Sequence, residues 1–100
     1  MHTGRGAALE LLAEHREELD RLLARHGGVR LWVFGSVARR EERADSDIDL
    51  VVEFEPGRSL FDLMDLEREL TQLLGRPVDV LSLGGLKDRD DHIRRDMLPI

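Results

Sequence analysis

The sequence of 100 residues contains no cysteine, only three prolines and a single lysine, Lys87. Without cysteine, the chain has no disulfide framework, no thiolate metal site and no cysteine nucleophile. No stretch is apolar over the length that a membrane-spanning helix needs, so we expect no membrane association. These absences together predict a cytoplasmic protein.

The composition is typical of one globular domain covering residues 1–100. Hydrophobic residues make up 41% and charged residues 36%, a balance that does not indicate disorder. The length suits one hydrophobic core, but not a catalytic domain with a separate substrate-binding domain. The net charge of −6 argues against direct nucleic-acid binding, because nucleic-acid binders are usually basic.

The spacing of apolar residues predicts an α/β (α+β) fold with elements in the order α-β-α-β-α-β-α. The first helix runs from Ala7 to about His26, and the three strands are "RLWVF", "DIDLVVEF" and "RPVDVLSL". A polar segment over 36–46 accommodates a helical turn and a loop. The last helix is predicted from Asp88 to Leu98.

The third helix has clear start and stop signals. Ser59 is a good N-cap with Asp62 three residues later, and Gly75 follows the last leucine of the pattern. This helix joins the second and third strands, which favours a right-handed parallel crossover between them. The short link between the first two strands favours an antiparallel pair, so we expect a three-stranded mixed sheet.

This topology predicts a cluster of three carboxylates at one end of the sheet. Asp47 and Asp49 are two residues apart at the start of the second strand and so face the same side. Asp79 lies near the start of the parallel third strand and should lie beside them. At about 5 Å and an effective dielectric of about 20, each ionised pair repels by roughly 3 kcal/mol. Without a metal, at least one of these aspartates should have a raised pKa.

The pair Gly35–Ser36, at the end of the first strand, should face the carboxylates. Glycine lets a phosphate approach the backbone, and the serine hydroxyl is a further donor. Hard carboxylate oxygens suit Mg²⁺, with Mn²⁺ as the alternative, and such ions complete their coordination with water and substrate phosphates. The pattern therefore favours a site with two metal ions for phosphoryl or nucleotidyl transfer.

Other interpretations of these residues are less well supported. A calcium loop fails because Leu50 stands where glycine is required and Pro56 where the closing glutamate should be. No P-loop or G-x-G-x-x-G sequence is present. Asp47, Asp49 and Asp79 could instead be solvent-facing strand residues without a ligand.

Single residues outside the carboxylate pattern also have two interpretations. Arg39 could contact a phosphate or pair with a local carboxylate. Trp32 is expected in the core, partly beneath the site, and His92 is expected to be exposed. Arg94 and Arg95 are expected on a solvated face, with a partner or nucleotide contact as the alternative.

The string "FGSVARREERADSDIDLVVEF", followed by "LGRPVDVLSLGGLKD", resembles the minimal nucleotidyltransferases of the DNA polymerase β-like superfamily. The resemblance rests on the G-S-x10-D-x-D signature and runs from about Val29 to the C-terminus. It implies the nucleotidyltransferase fold, metal binding by Asp47 and Asp49, and a role for Asp79 as third carboxylate and proton acceptor. Gly35 and Ser36 would hold the β- and γ-phosphates of ATP.

The resemblance also implies a partner. Proteins of this type are commonly antitoxins that transfer AMP from ATP to a tyrosine hydroxyl of a HEPN-type toxin. Two alternatives stay open. The chain could mask a toxin sterically without catalysis, or it could modify a small molecule such as an aminoglycoside, although little chain is left over to build an acceptor pocket.

Overall fold

The computed structural model describes residues 7–43 and 46–100, so Ala44 and Asp45 of the predicted loop lie outside the described residues. The elements, in chain order, are α1 (Ala7–Glu14), α2 (Arg16–Arg25), β1 (Gly28–Phe34), α3 (Gly35–Ala38), β2 (Ile48–Phe54), α4 (Leu60–Leu74), β3 (Val78–Ser82), two 3₁₀ turns (Leu83–Gly85 and Asp88–Asp90), α5 (Asp91–Asp96) and β4 (Leu98–Pro99).

The strands form one mixed sheet in the order β3-β2-β1-β4. The β1–β2 pair is antiparallel and the β2–β3 pair is parallel, which confirms both predicted pairings. The predicted number of three strands is wrong, since β4 adds a fourth at the edge beside β1.

The fourth strand replaces the predicted end of the last helix. Met97 has extended backbone angles and ends α5, and Leu98 then pairs with Val33. The N–H of Ile100 donates to the carbonyl of Leu31 at 3.1 Å, which continues the contact. A pair of residues that includes a proline carries no strand signal, and proline is tolerated there because the strand lies at an edge.

The predicted first helix is two helices. His15 has φ −105° and ψ 24°, which breaks the helical geometry between α1 and α2. The predicted last helix is also shorter, because a 3₁₀ turn covers Asp88–Asp90 and the α-helical part covers only Asp91–Asp96.

The core lies between one face of the sheet and helices α1, α2, α3 and α4. The fully buried side chains from these elements include Ala8, Leu12, Val33, Val37, Ile48, Leu50, Val52, Leu66 and Leu70. Because strand residues alternate, Trp32 lies on the opposite face from Leu31 and Val33 and is only partly buried, so its predicted place in the core is wrong. Its register partner Val51 shows that Trp32 instead lies on the face of the sheet that carries Asp49. His92, Arg94 and Arg95 are exposed, as predicted.

Helix α4 begins and ends where the sequence predicts. The Ser59 hydroxyl accepts from the Phe61 N–H at 3.2 Å, and the Asp62 carboxylate accepts from the Ser59 N–H at 2.9 Å, which forms a capping box. Gly75 ends the helix with φ +71°, in the left-handed region that favours glycine.

Side chains of α4 also protect the edge strand β3. The Thr71 hydroxyl accepts from the Val78 N–H at 3.2 Å, and the Glu67 carboxylate accepts from the Val80 N–H at 2.8 Å. These contacts satisfy outward-facing donors of a sheet edge, which would otherwise be open to pairing with another chain. Across residues 7–43 and 46–100, no helix has the length and apolarity required to cross a bilayer.

Candidate active site

The parallel register of β2 and β3 brings the predicted carboxylates together. Asp49 and Asp79 are direct partners in this register, and Ile48 and Leu50 on either side of Asp49 are fully buried against the core. Asp49 therefore points to the opposite face, together with Asp79. Asp47 directly precedes β2 and is exposed, and its negative charge raises the pKa of both Asp49 and Asp79.

Gly35 adjoins this cluster because the antiparallel register pairs Phe34 with Asp49. A Cβ atom at Gly35 would lie 2.8 Å from the Asp49 Oδ2 atom, and Gly35 also has φ +70°. Both features require glycine. The space beside the Gly35 backbone is therefore filled by a carboxylate, so this glycine allows Asp49 to lie against the turn after β1.

The electrostatics of the cluster follow from this crowding. The pKa of Asp49 is raised above its ordinary value by burial, and further by the negative charges of Asp79 and Asp47. The pKa of Asp79 is raised by partial loss of hydration and by the charges of Asp47 and Glu67. The prediction that at least one of these aspartates has a raised pKa is confirmed.

Arg39, two residues after Val37 of α3, lies at the margin of the cluster. Its Nη1 atom donates to the Asp96 carboxylate at 2.6 Å, and its Nε atom donates to the Glu41 carboxylate at 3.1 Å. Its positive charge lowers the pKa of Asp49, but by less than burial and the charges of Asp79 and Asp47 raise this pKa. In this structure Arg39 thus makes the local carboxylate pairs that the sequence offered as one of two alternatives.

Ser36 is partly buried in α3, directly after Gly35, and its carbonyl accepts from the Glu41 N–H at 2.8 Å. Arg40 N–H donates to the Val37 carbonyl at 3.1 Å, and Arg40 has φ +59°. These contacts end α3 in a Schellman motif, whose left-handed residue is an arginine instead of the usual glycine. The motif turns the chain at Arg40, two residues after the end of α3.

The chemistry of the donors suits a magnesium nucleotide. Within the described ranges, no three histidine, aspartate or glutamate side chains form a ready metal cage. Magnesium is usually held by one or two carboxylates, and its remaining positions go to water and substrate phosphates. Asp49 and Asp79 supply hard oxygen donors on one face of the sheet, and Asp47 adds a third carboxylate whose charge reaches both. A cation would relieve the mutual repulsion of the three.

Two residues at this site escape sequence reasoning. Glu67 contributes negative charge beside Asp79 and bonds to the β3 backbone, and Asp96 holds Arg39 from α5. Both are far from their partners along the chain, and no motif indicates them.

A model of the nucleotidyltransferase domain family matches residues 12–98. A relative from Methanocaldococcus jannaschii, named as a protein adenylyltransferase, is 45% identical over 76% of this chain and 86% of its own length. The protein adenylyltransferase MntA of Thermococcus cleftensis is 40% identical over 77% of this chain and 75% of its own length.

Solved structures give the same result. A structure described as a minimal nucleotidyltransferase is 49% identical, with a TM-score of 0.79 over 92% of this chain and 95% of that chain. The complex of a tri-AMPylated Shewanella oneidensis HEPN toxin with an MNT antitoxin includes a chain of the same fold, with a TM-score of 0.64. That match covers 87% of this chain and 69% of the other, and its 17% identity shows the fold alone.

Proposed function

Because this chain belongs to the nucleotidyltransferase domain family and is one of its minimal nucleotidyltransferases, we propose that it transfers AMP from ATP to a tyrosine hydroxyl of a HEPN-type toxin. The transfer inactivates the toxin, and the chain acts as its antitoxin in the cytoplasm, where ATP is available. The relatives named as protein adenylyltransferases support the reaction, and the AMPylated HEPN toxin in complex with an MNT antitoxin supports the partner.

The observation that carries this proposal is the register of Asp49 against Asp79, next to the Gly35 turn and with Asp47 directly before β2. These three carboxylates would hold Mg²⁺, as two ions, with Mn²⁺ as a substitute. When bound, the metal neutralises the triphosphate and favours ionisation of the attacking hydroxyl.

The residues of the chain have distinct tasks in this reaction. Gly35 and Ser36 lie at the start of α3, beside Asp49, and bind the β- and γ-phosphates of ATP. The acceptor oxygen bonds to the α-phosphorus, the bond from the α-phosphorus to the β-bridging oxygen breaks, and pyrophosphate leaves. Asp79 accepts the proton of the acceptor hydroxyl.

Arg39 is the further phosphate contact in this proposal. Its side chain is about half exposed and its charge already reaches Asp49. A triphosphate entering beside Asp49 would compete with Asp96 and Glu41 for the guanidinium group, since charge-assisted bonds to phosphate are strong.

The test is label transfer to a purified HEPN-type toxin, the class of partner that this proposal names. With Mg²⁺ and ATP labelled at the α-phosphate, we expect label on a toxin tyrosine, and with ATP labelled at the γ-phosphate we expect none. Asp47→Asn should abolish the labelling, whereas Arg68→Ala, which removes an exposed pair with Asp65, should not. Toxin neutralisation without labelling would contradict adenylylation and indicate steric masking, and labelling of an added aminoglycoside alone would indicate a small-molecule acceptor.

A further inference from the structure

A buried ion pair ties together three segments next to the carboxylate cluster. The Glu42 side chain is 1% exposed, and its Oε2 atom accepts from Arg76 Nη1 at 3.0 Å. Its other oxygen accepts from the N–H of Ala8, at the start of α1, at 3.2 Å. A carboxylate buried to this degree needs such partners, because an uncompensated buried charge is strongly unfavourable.

Arg76 makes a second contact that the ion pair does not require. Its Nη2 atom donates to the carbonyl of Ser46 at 2.7 Å, and Ser46 directly precedes Asp47. The next residue, Pro77, accepts from the Ile48 N–H at 2.9 Å through its carbonyl. The dipeptide Arg76–Pro77 therefore holds the backbone on both sides of Asp47.

The same dipeptide leads into the strand that carries Asp79. Only Val78 separates Pro77 from Asp79, which is the register partner of Asp49. One guanidinium group thus links the approach to β2 with the start of β3, and its planar pair of nitrogens contacts Glu42 and Ser46 at once. A lysine ammonium is a single point charge and does not reproduce this fork.

We infer that Arg76 is a positioning residue, which places the Asp47 carboxylate beside Asp49 and Asp79 through its hydrogen bond to the Ser46 carbonyl. This inference rests on the proposed function for the role of Asp47 in catalysis. Small displacements of reacting groups are costly, since a misplacement of about 1 Å lowers a rate by about 100-fold. Loss of the Ser46 contact therefore affects turnover more than folding.

The experiment separates positioning from ion pairing. The double variant Glu42→Gln with Arg76→Gln removes both buried charges, but the shorter glutamine does not reach Ser46. We expect the Tm of this double variant to be close to that of the unaltered chain, because no unpaired charge stays buried. We also expect kcat for AMP transfer to fall about tenfold or more, and KM for ATP to change less. Arg76→Lys, which keeps a charge against Glu42, should show the same fall in kcat, and Glu42→Gln alone, which keeps the Ser46 contact, should show less.

Hydrogen exchange provides a measurement that does not depend on activity. The amide of Ile48 should exchange faster in the Arg76→Lys and double variants, whereas the amides of Leu50 and Val52 should keep their protection. The control is Arg30→Gln with Glu53→Gln, which removes another ion pair between two elements, β1 and β2, with its atoms 3.3 Å apart. This control should leave both kcat and Ile48 exchange unchanged.

Opposite results overturn the inference. A double variant or Arg76→Lys with unaltered kcat and unaltered Ile48 exchange would show that Arg76 only neutralises Glu42. If the unaltered chain transfers no AMP, the proposed function fails, and the exchange of Ile48 alone then decides whether Arg76 orders the backbone beside Asp47.

Discussion

Asp49 and Asp79 stand directly opposite each other across the parallel β2–β3 pair. Like charges at directly opposed positions destabilise a sheet. Asp49 is also flanked on its other side by Phe34 of β1, so its carboxylate extends toward the turn at Gly35. Repulsion within the cluster therefore lowers the stability of the unliganded protein, and a bound cation would remove this repulsion.

We expect Asp49→Asn to stabilise the unliganded protein while it abolishes AMP transfer. The pKa of Asp49 is raised in the folded state, so its ionisation opposes folding. The stabilisation should be full at neutral pH, should decline as the pH falls through the folded pKa, and should vanish below the ordinary pKa of about 3.9. Melting curves in EDTA at pH 7 and pH 3 would measure it, with an expected rise in Tm of about 3 °C or more at pH 7 only.

Asp62→Asn is the control of opposite sign for that experiment. The Ser59 N–H holds the pKa of Asp62 below its ordinary range, so the ionised carboxylate favours folding. Its contribution is present above the ordinary pKa and is lost as the pH falls through the lower folded pKa. We expect Asp62→Asn to lower Tm at pH 7. A similar rise in Tm for both variants would show that the removal of any acid stabilises the chain.

Gly35→Ala should damage both stability and activity. The added Cβ would meet the Asp49 carboxylate at 2.8 Å, and the backbone has φ +70°. We expect the free energy of unfolding to fall by more than the roughly 1–2 kcal/mol that left-handed backbone strain alone costs. We also expect the rate of AMP transfer to fall about 100-fold. Gly57→Ala is the control, because Gly57 has φ +90° and nothing within 4 Å of the added atom. Equal activity in the two variants would disprove the role given to Gly35.

Arg39→Ala should raise KM for ATP by about tenfold, since one charge-assisted phosphate contact is worth about 1.5 kcal/mol or more. Arg68→Ala removes an arginine that is also exposed and paired with an acid, and its KM should stay unchanged. Steady-state kinetics with varied ATP would compare them. An unchanged KM in Arg39→Ala would mean that this arginine serves only its pairs with Glu41 and Asp96.

Arg40→Gly should make the protein more stable. Arg40 has φ +59°, a conformation that costs a side-chain-bearing residue about 1–2 kcal/mol, and glycine adopts it without that cost. Glycine also raises the entropy of the unfolded chain, which offsets part of this stabilisation. We therefore expect the free energy of unfolding, measured in urea, to rise by about 0.5–1 kcal/mol. A loss of stability would show that the arginine side chain contributes more than its backbone costs.

The sequence predicts much of this fold through local rules. The capping box of Ser59 and Asp62, the end of α4 at Gly75 and the parallel crossover after it all follow from residue types and spacing. The convergence of Asp79 with Asp49 follows in turn from the crossover. Residue spacing and the handedness of the crossover are therefore sufficient to predict that these two carboxylates lie close together.

Other features depend on contacts that leave no trace in the sequence pattern. The strand β4 forms because Leu98 meets Val33 across the edge of the sheet, and its Pro99 argues against a strand. The contacts of Arg76 with Glu42 and Ser46 join residues 34 and 30 positions apart. Such contacts are visible only once the sheet has brought the two segments together.

Calorimetric titration with Mg²⁺ and a non-hydrolysable ATP analogue tests most directly whether Asp47, Asp49 and Asp79 together bind a magnesium nucleotide. We expect saturable binding to the unaltered chain, at least about tenfold weaker binding to Asp79→Asn, and no binding in EDTA. Binding of equal strength to Asp79→Asn, or no heat of binding with the unaltered chain, would contradict the account.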